Sequence, residues 1–355
     1  MCSARGRTCR RNTGTNGQGV HQVIQTSGVI LGIESSCDDT AAAVVNRYGQ
    51  VLSSVVAPQT HIHSPYGGIF PEFASRAHAL SVIPTIRRAL AEAHVEGTQL
   101  TAIGVTRGPG LIGSLLVGLN TAAGLAIGWN VPVVGVNHLR GHLRSADLME
   151  ARVRYPAIVL LVSGGHTFLA RMENLSSVQT LGTTRDDSVG EAYDKVGRLL
   201  GLGYPGGPAV DRLAKQGEAS IPFPRPMISE GLEFSFSGLK SAVSRHVNRY
   251  PEANPADVAA SFVQACMDVL LTKCRRALTA FGAESLVVVG GVAASPQLRE
   301  GAQQLCAELK VDLCLPPLRW STDNAAMIAL AAWDYVDHGI FPELTATASM
   351  PMSVF

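Results

Sequence analysis

The apolar positions of this chain form two similar openings. The first is residues 29–33, then the polar turn Glu34-Ser35-Ser36-Cys37-Asp38-Asp39-Thr40, then the apolar run 41–45. The second is the apolar run 157–162, then Ser163-Gly164-Gly165-His166-Thr167, then residues 168–172. Each predicts a strand, a tight turn and a second strand, with third strands at 51–56 and 177–181. A repeated three-strand opening, each copy offering a tight turn that can face a phosphate, points to a nucleotide in a cleft between two like domains.

Between and after these openings the period changes. Ala77, Leu80, Ile83, Ile86 and Leu90 recur at three to four residues and predict a helix over 73–93. Further strands are expected at 100–105, 131–136 and 286–289. Further helices are expected at 112–127, 138–150, 190–200, 209–215, 255–281, 297–309 and 325–335. Residues 201–208 read as a loop and 217–236 as irregular, being rich in Pro and aromatics. Strands alternating with helices around a duplicated opening predict an α/β fold of two like domains. The expected divisions are an extension at 1–28, a first domain at 29–154, a second with insertions at 155–323, and a closing helix and tail at 324–355 that packs back on the first domain.

Composition is that of a globular protein, 46% hydrophobic and 16% charged, and 355 residues suffice for two cores. Gly, Pro or a charge interrupts every apolar run before the roughly 18 residues of a membrane span, so no membrane association is expected. The net charge is +1; Arg5, Arg7, Arg10 and Arg11 lie in residues 1–28 with no acid, leaving −3 for the rest. That balance does not suit a general nucleic-acid coat, although a local basic face remains open. The 1–28 stretch is a disordered extension or a targeting peptide, without the repeating apolar face of the latter. The seven cysteines include no CxxC pair. Cys266, Cys274, Cys306 and Cys314 sit in apolar stretches as small hydrophobes, which suits a reducing compartment. The cytoplasm is expected, with mitochondria the alternative if residues 1–28 are a transit peptide.

Several residues carry candidate chemistry. The glycine turns at 163–167, 206–207 and 290–291 let backbone N–H groups approach an anion, or are plain turns. His138 and His142 are four apart after a strand, which is metal-ligand spacing, or a pair of cleft-lining side chains. No glutamate stands next to His138, so the HExxH arrangement of a metalloprotease is absent. Asp323 is the best third ligand, or a helix N-cap. Asp38 and Asp39 can hold a metal or water or accept a proton, or serve the turn. In the second acidic cluster Asp187 reads as a helix cap and Glu191 as a first-turn acid, while Asp194 needs another reason. Basic residues gather at Arg140, Arg144, Arg152 and Arg154, and at Lys240, Arg245, His246 and Arg249. Flanking a cleft, they could hold an RNA backbone.

Seven segments, in order, resemble one family: residues 33–40, 71–78 (Pro-Glu-Phe-Ala-Ser-Arg-Ala-His), 108–111, His138-Leu139-Arg140-Gly141-His142, 161–167, 234–240 (Phe-Ser-Phe-Ser-Gly-Leu-Lys) and 322–329. They are similar to the signatures of the TsaD/Kae/Qri family, the tRNA N6-adenosine threonylcarbamoyltransferases, formerly called O-sialoglycoprotein endopeptidases. The resemblance spans residues 29–340. It implies a duplicated actin-like, RNase H-like fold and transfer of threonylcarbamoyl from threonylcarbamoyl-AMP to N6 of adenosine 37, in tRNAs reading codons that start with A. It implies that His138, His142 and Asp323 bind a metal, iron or else zinc. It further implies that Leu161, Val162, Ser163, Gly164, Gly165, Asp194, Gly207, Asp211 and the 295 position bind substrate, and that Asp38 and Asp39 flank the reaction. TsaB- and TsaE-type proteins are the implied partners in a bacterial setting, a second copy of the chain in an organellar one. Two departures stand out. Ser295 replaces the family's usual Asn after Gly-Gly-Val-Ala-Ala, losing a bidentate contact, and Arg140 stands where bacterial members often have Glu. The rival readings are an actin-fold ATPase or sugar kinase, which does not explain the His pair, and a non-catalytic adenylate-binding assembly subunit, a type that usually lacks the three metal ligands.

Overall fold

The computed structural model describes residues 28–148 and 153–350. The targeting expectation therefore lies almost wholly outside the described residues.

Two five-stranded sheets share one topology. The first runs in the order β3-β2-β1-β4-β5, from β1 (Val29–Glu34), β2 (Asp39–Asn46), β3 (Val51–Pro58), β4 (Ala102–Gly108) and β5 (Val133–Asn137). The second runs β8-β7-β6-β9-β10, from β6 (Ala157–Val162), β7 (Thr167–Asn174), β8 (Ser177–Thr183), β9 (Ser285–Val289) and β10 (Asp312–Cys314). In each sheet the first three strands are antiparallel and the last two parallel to the opening strand. β1 and β6 are buried along their whole length. Central strands covered on both faces need continuous apolar runs, which is what residues 29–33 and 157–162 supply.

One face of the first sheet is covered by α1 (Pro71–Ala93) and α2 (Ile112–Trp129), with Val82, Ile86 and Leu119 packed on Leu31, Ile33 and Val105. One face of the second is covered by α4 (Val189–Leu199) and α7 (Pro255–Phe281), where Val196, Phe262 and Leu270 meet Ile158 and Leu160, and α8 (Pro296–Leu309) packs beside α7. The remaining two faces are exchanged between the halves. The short helix α3 (His138–Arg144) leaves the first sheet and places Leu139 and Leu143 on Val159, Leu161 and Val287 of the second. The closing helix α9 (Ala325–Asp337) leaves the second half and lies on the first sheet, Ile328 and Ala329 against Ile30 and Ala43. Each fully buried Leu or Ile contributes about 1.5–3 kcal/mol, so the exchange ties the halves together strongly. Gly32 in β1 makes it feasible: a Cβ there would collide with the backbone of Ala325 and Ala329.

Several boundaries differ from expectation. α3 ends at Arg144 and passes into a 3₁₀ turn at Ser145–Asp147. α5 (Gly206–Ala214) starts three residues early, because the Asp194 carboxylate accepts hydrogen bonds from the N–H groups of Gly206 and Gly207, at 2.9 and 3.3 Å. α6 (Ser237–Arg249) was not expected at all, and neither was the three-residue β10. Asn324, not Asp323, caps α9, accepting from Met327 N at 2.9 Å. Ser188, not Asp187, caps α4. The expectation about apolar runs is also corrected: α2 is an 18-residue helix without a charge, long and apolar enough to span by length and composition alone. Here it packs on α1 and β4, and leaves Leu116 and Ile127 exposed on its outer side.

Candidate functional site

The exchange of α3 and α9 brings the two ends of the chain's chemistry together. Asn137 caps α3 by accepting from the N–H groups of Leu139 and Arg140, which fixes where the helix starts. One turn later His142 stacks edge-on to His138, ring centroids 4.7 Å apart. Asp323 enters from the loop before α9. Its Oδ1 lies 3.6 Å from His138 Nε2 and 3.1 Å from His142 Nε2. The Asn324 side chain ties the Asp323 loop down by donating to the carbonyls of Trp320 and Thr322.

A carboxylate missed in the sequence fixes the first imidazole. Glu34 ends β1 fully buried, and its Oε2 sits 3.0 Å from His138 Nδ1. The same carboxylate accepts from Thr106 Oγ1 at 2.6 Å and from Ser36 N at 2.5 Å. A carboxylate on one ring nitrogen holds the ring so that the other points at a ligand. The available signal was a charged residue terminating an otherwise apolar strand.

His138, His142 and Asp323 offer three ligand atoms within 4.8 Å of one another. Ligands at about 2.0–2.2 Å from one ion stand at such separations. Both ring nitrogens of His142 are buried without a hydrogen-bond partner, although Asp323 is close, an arrangement costly unless something else satisfies them. The donor set fits a divalent transition metal with open positions. Burial pulls the His138 imidazole down, but Glu34 and Asp323 outweigh it and push it up to about 9. The Asp323 carboxyl, raised by burial, is held below its ordinary range by the two histidines. Nearby His166, which the sequence reading did not single out, is pushed down to about 4 by burial and by His138 and His142, so it is neutral at pH 7.

Next to the triad a cavity of about 470 Å³ opens between the halves. Asp38 and Asp39 line it from the first half. Gly164, Asp194, Gly207, Asp211 and Ser295 line it from the second, and Thr322 connects it to Asp323. Tyr204 donates to Asp38 Oδ2 at 3.1 Å across the cleft. Burial, then Asp38, Asp323 and Glu34, push the Asp39 carboxyl up to about 7. Burial also raises Asp194 and Asp211, against the hydrogen bonds each accepts. Asp211, Tyr193 and Ser295 lie together on the cavity wall.

Not every expected site residue reaches the cavity. Leu161 and Val162 are fully buried in β6, laddered to Phe168 and Thr167, and their side chains belong to the core. Ser163 is buried and closes its own turn, its Oγ accepting from His166 N at 3.1 Å. Gly165 is exposed in that turn but does not line the cavity. The first basic group does not form one exposed face among the described residues either. Arg140 is buried, donating to the Leu175 carbonyl and to Asp334, and Arg144 pairs with Asp147 and Asp334. Arg154 is held by Glu284 and Asp312, and Arg152 lies outside the described residues.

The chain is similar to known proteins over most of its length. Residues 50–330 match the family model described as TsaD, tRNA N6-adenosine threonylcarbamoyltransferase. A protein of that name from Trichlorobacter lovleyi is 48% identical over 332 residues, covering 91% of this chain and 97% of its own. One from Geobacter sp. strain M21 is 50% identical over 317 residues, covering 88% and 92%. Among solved structures, HypF from T. kodakarensis matches 90% of this chain and 49% of its own, with a TM-score of 0.62 at 16% identity. Component A of the (R)-2-hydroxyglutaryl-CoA dehydratase of Acidaminococcus fermentans matches 88% of this chain and all of its own, with a TM-score of 0.51 at 16% identity. These two likenesses establish the duplicated actin-like fold alone.

Proposed function

The chain belongs to the tRNA N6-adenosine threonylcarbamoyltransferase family and forms N6-threonylcarbamoyladenosine in tRNA; from that premise we propose how its residues divide the work. The donor is threonylcarbamoyl-AMP, held in the interdomain cavity, and the acceptor is N6 of adenosine 37 in tRNAs that read codons starting with A. The observation that carries this reading is the meeting of His138 and His142 from one half with Asp323 from the other, at the end of that cavity.

The N–H groups around Gly164 and Gly291 suit the phosphate of the adenylate. Asp211 and Tyr193, on the cavity wall, suit its hydroxyls. His138, His142 and Asp323 would hold iron, or else zinc, and a divalent ion there supplies positive charge to the phosphate and to the oxyanion that develops on the carbamoyl group. The N6 amine is a weak nucleophile and the mixed anhydride is already activated, so positioning contributes most of the rate. The N6–C bond forms, the bond from the carbamoyl carbon to the phosphate oxygen breaks, and AMP leaves. The proton of N6 passes to the Asp39 carboxylate, whose raised pKa suits a base at neutral pH.

A protein partner is also expected. Leu80, Ile83, Leu116 and Ile127 leave apolar surface on α1 and α2, which suits a TsaB-type subunit or a second copy of this chain. All five described cysteines are free, in keeping with a reducing compartment such as the cytoplasm. A kinase or ATPase reading leaves the ion triad without a task.

The test is to incubate the metal-loaded protein with threonylcarbamoyl-AMP and unmodified tRNA, with and without TsaB- and TsaE-type proteins, then digest the RNA and weigh its nucleosides. A mass gain at the adenosine supports the reading. No gain in any tube, with intact binding of both substrates, rejects it.

A further inference from the structure

Two surface features that the reaction does not use meet beside the cavity. The first is a groove of about 480 Å³ between α4 and α6, lined by Lys195, Arg198, Lys240 and Arg245. Asp187 orients both lysines, 2.6 Å from Lys240 Nζ and 3.2 Å from Lys195 Nζ. Arg245 is exposed and has no ion pair or hydrogen bond among the described residues. The second is an aromatic cluster on the other half. Tyr66 has ring centroids 5.9 Å from Phe70 and 5.3 Å from Phe73, which are 4.8 Å from each other. Tyr66 is 57% and Phe70 44% exposed.

The two features touch. Arg198, on the wall of the groove, donates across the cleft to the carbonyl of Gly67, the residue after Tyr66. Ser64 Oγ donates to the Tyr204 carbonyl at 3.2 Å, and Tyr204 lines the cavity. Basic groove, exposed rings and a cavity large enough for a nucleotide therefore share one seam.

We propose that this seam is the docking surface for the single-stranded loop that carries the target adenosine, with loop phosphates along the groove and a neighbouring base on the Tyr66–Phe70–Phe73 rings. The proposal rests on the transferase reading above and adds to it where the RNA lies. A base can enter the cavity only if it leaves its stack. Its neighbours, once unstacked, find compensation on aromatic faces. Cations beside those faces neutralise the backbone of the same strand. A rigid duplex would use the groove but not the rings. A protein partner would cover the rings without needing a basic groove on the same seam.

Binding of a labelled RNA hairpin with an unmodified anticodon loop, measured against salt, tests this. Its companion has the same stem closed by a tight four-base loop. Arg245→Gln weakens loop binding and lowers the log–log salt slope by about one. Phe70→Ser weakens it at least about fivefold with the slope unchanged, and leaves the companion hairpin unaffected. Arg275→Gln, on the distant pair with Glu308, alters neither hairpin. All three side chains are exposed, so thermal unfolding of the three variants matches the parent. Parent-like loop binding by Arg245→Gln and Phe70→Ser overturns the proposal, as does an equal loss on both hairpins. So does loss of a protein partner with RNA binding intact. If the parent makes the modified nucleoside while both variants bind and react normally, only the docking surface is wrong. If it binds the loop as described yet never modifies tRNA, the surface holds and the transferase reading fails.

Discussion

His142 Nε2 and Asp323 Oδ1 stand 3.1 Å apart although one residue comes from each half of the duplicated chain. They meet because α3 and α9 each cross to the opposite sheet. A site assembled this way reports on the domain arrangement itself: any change that loosens α9 from β1 also moves a ligand atom. Replacing Gly32 by Ala forces Cβ into the backbone of Ala325 and Ala329, so the variant should lose both stability and metal affinity together. A circular dichroism melt and a metal titration on the same sample check this; a lower melting temperature with unchanged affinity would show that the two are uncoupled.

Glu34 acts through His138. Glu34→Gln removes the charge that orients the ring, and metal affinity should fall about 10- to 100-fold. Competition with a calibrated chelator measures it. Affinity equal to the parent's would make Glu34 a packing residue only.

Asp39 sets a pH dependence. As a base it must be ionised, so kcat/KM should rise with pH through a midpoint near 7 and level off above it. Asp39→Asn should remove that limb and cost about 10²–10⁴ in rate. Stability runs the other way. The folded carboxyl titrates above its unfolded value, so its contribution is present below the unfolded pKa and is lost as pH rises through about 7. At pH 8 the Asn variant should therefore melt no lower than the parent. A flat pH–rate profile in the parent contradicts the assignment.

Much of this was legible in the chain. Apolar runs at 29–33 and 157–162 gave the two sheets, because only strands buried on both faces read that way. The His pair and Asp323 were legible from spacing and from an acid standing before an apolar helix. What stayed hidden depends on contacts far apart in sequence. Glu34 is a ligand-orienting carboxylate only because β1 ends beside His138. Arg140 and Arg144 read as a basic surface but are buried against Asp334 of α9, since the crossing of helices cannot be seen in a linear charge pattern. α6 carries apolar Leu239, Ala242, Val243 and Val247 at helical spacing, a signal masked by its polar majority and by the Ser-Gly that opens it.

That buried charge cluster gives a stability prediction. Arg140→Leu leaves Asp334 with Arg144 alone in a buried setting and removes the stacking of Arg140 on Tyr335. Breaking a buried pair by removing one partner costs about 3–5 kcal/mol. Denaturant unfolding should show a loss at the lower end of that range, because Arg144 remains. Asp334→Asn together with Arg140→Leu should recover part of it; a double variant no better than the single would contradict the pairing.

Ser295 is buried beside the cavity, with its hydroxyl 3.3 Å from Gln297 Oε1. An Asn at this position regains an amide able to donate and accept at once. Ser295→Asn should tighten AMP binding about fivefold, the worth of one added hydrogen bond. Calorimetry with AMP decides it, and weaker binding would mean that the pocket has been fitted to the smaller side chain.

The central claim is that one ion is shared by the two halves, and metal content read together with threonylcarbamoyl transfer tests it most directly. The parent loaded with iron or zinc should hold one ion per chain, whereas His142→Ala and Asp323→Ala should each lose the ion and at least about 100-fold in transfer while still binding AMP. An Asp323→Ala variant that keeps both its metal and its activity would contradict the account.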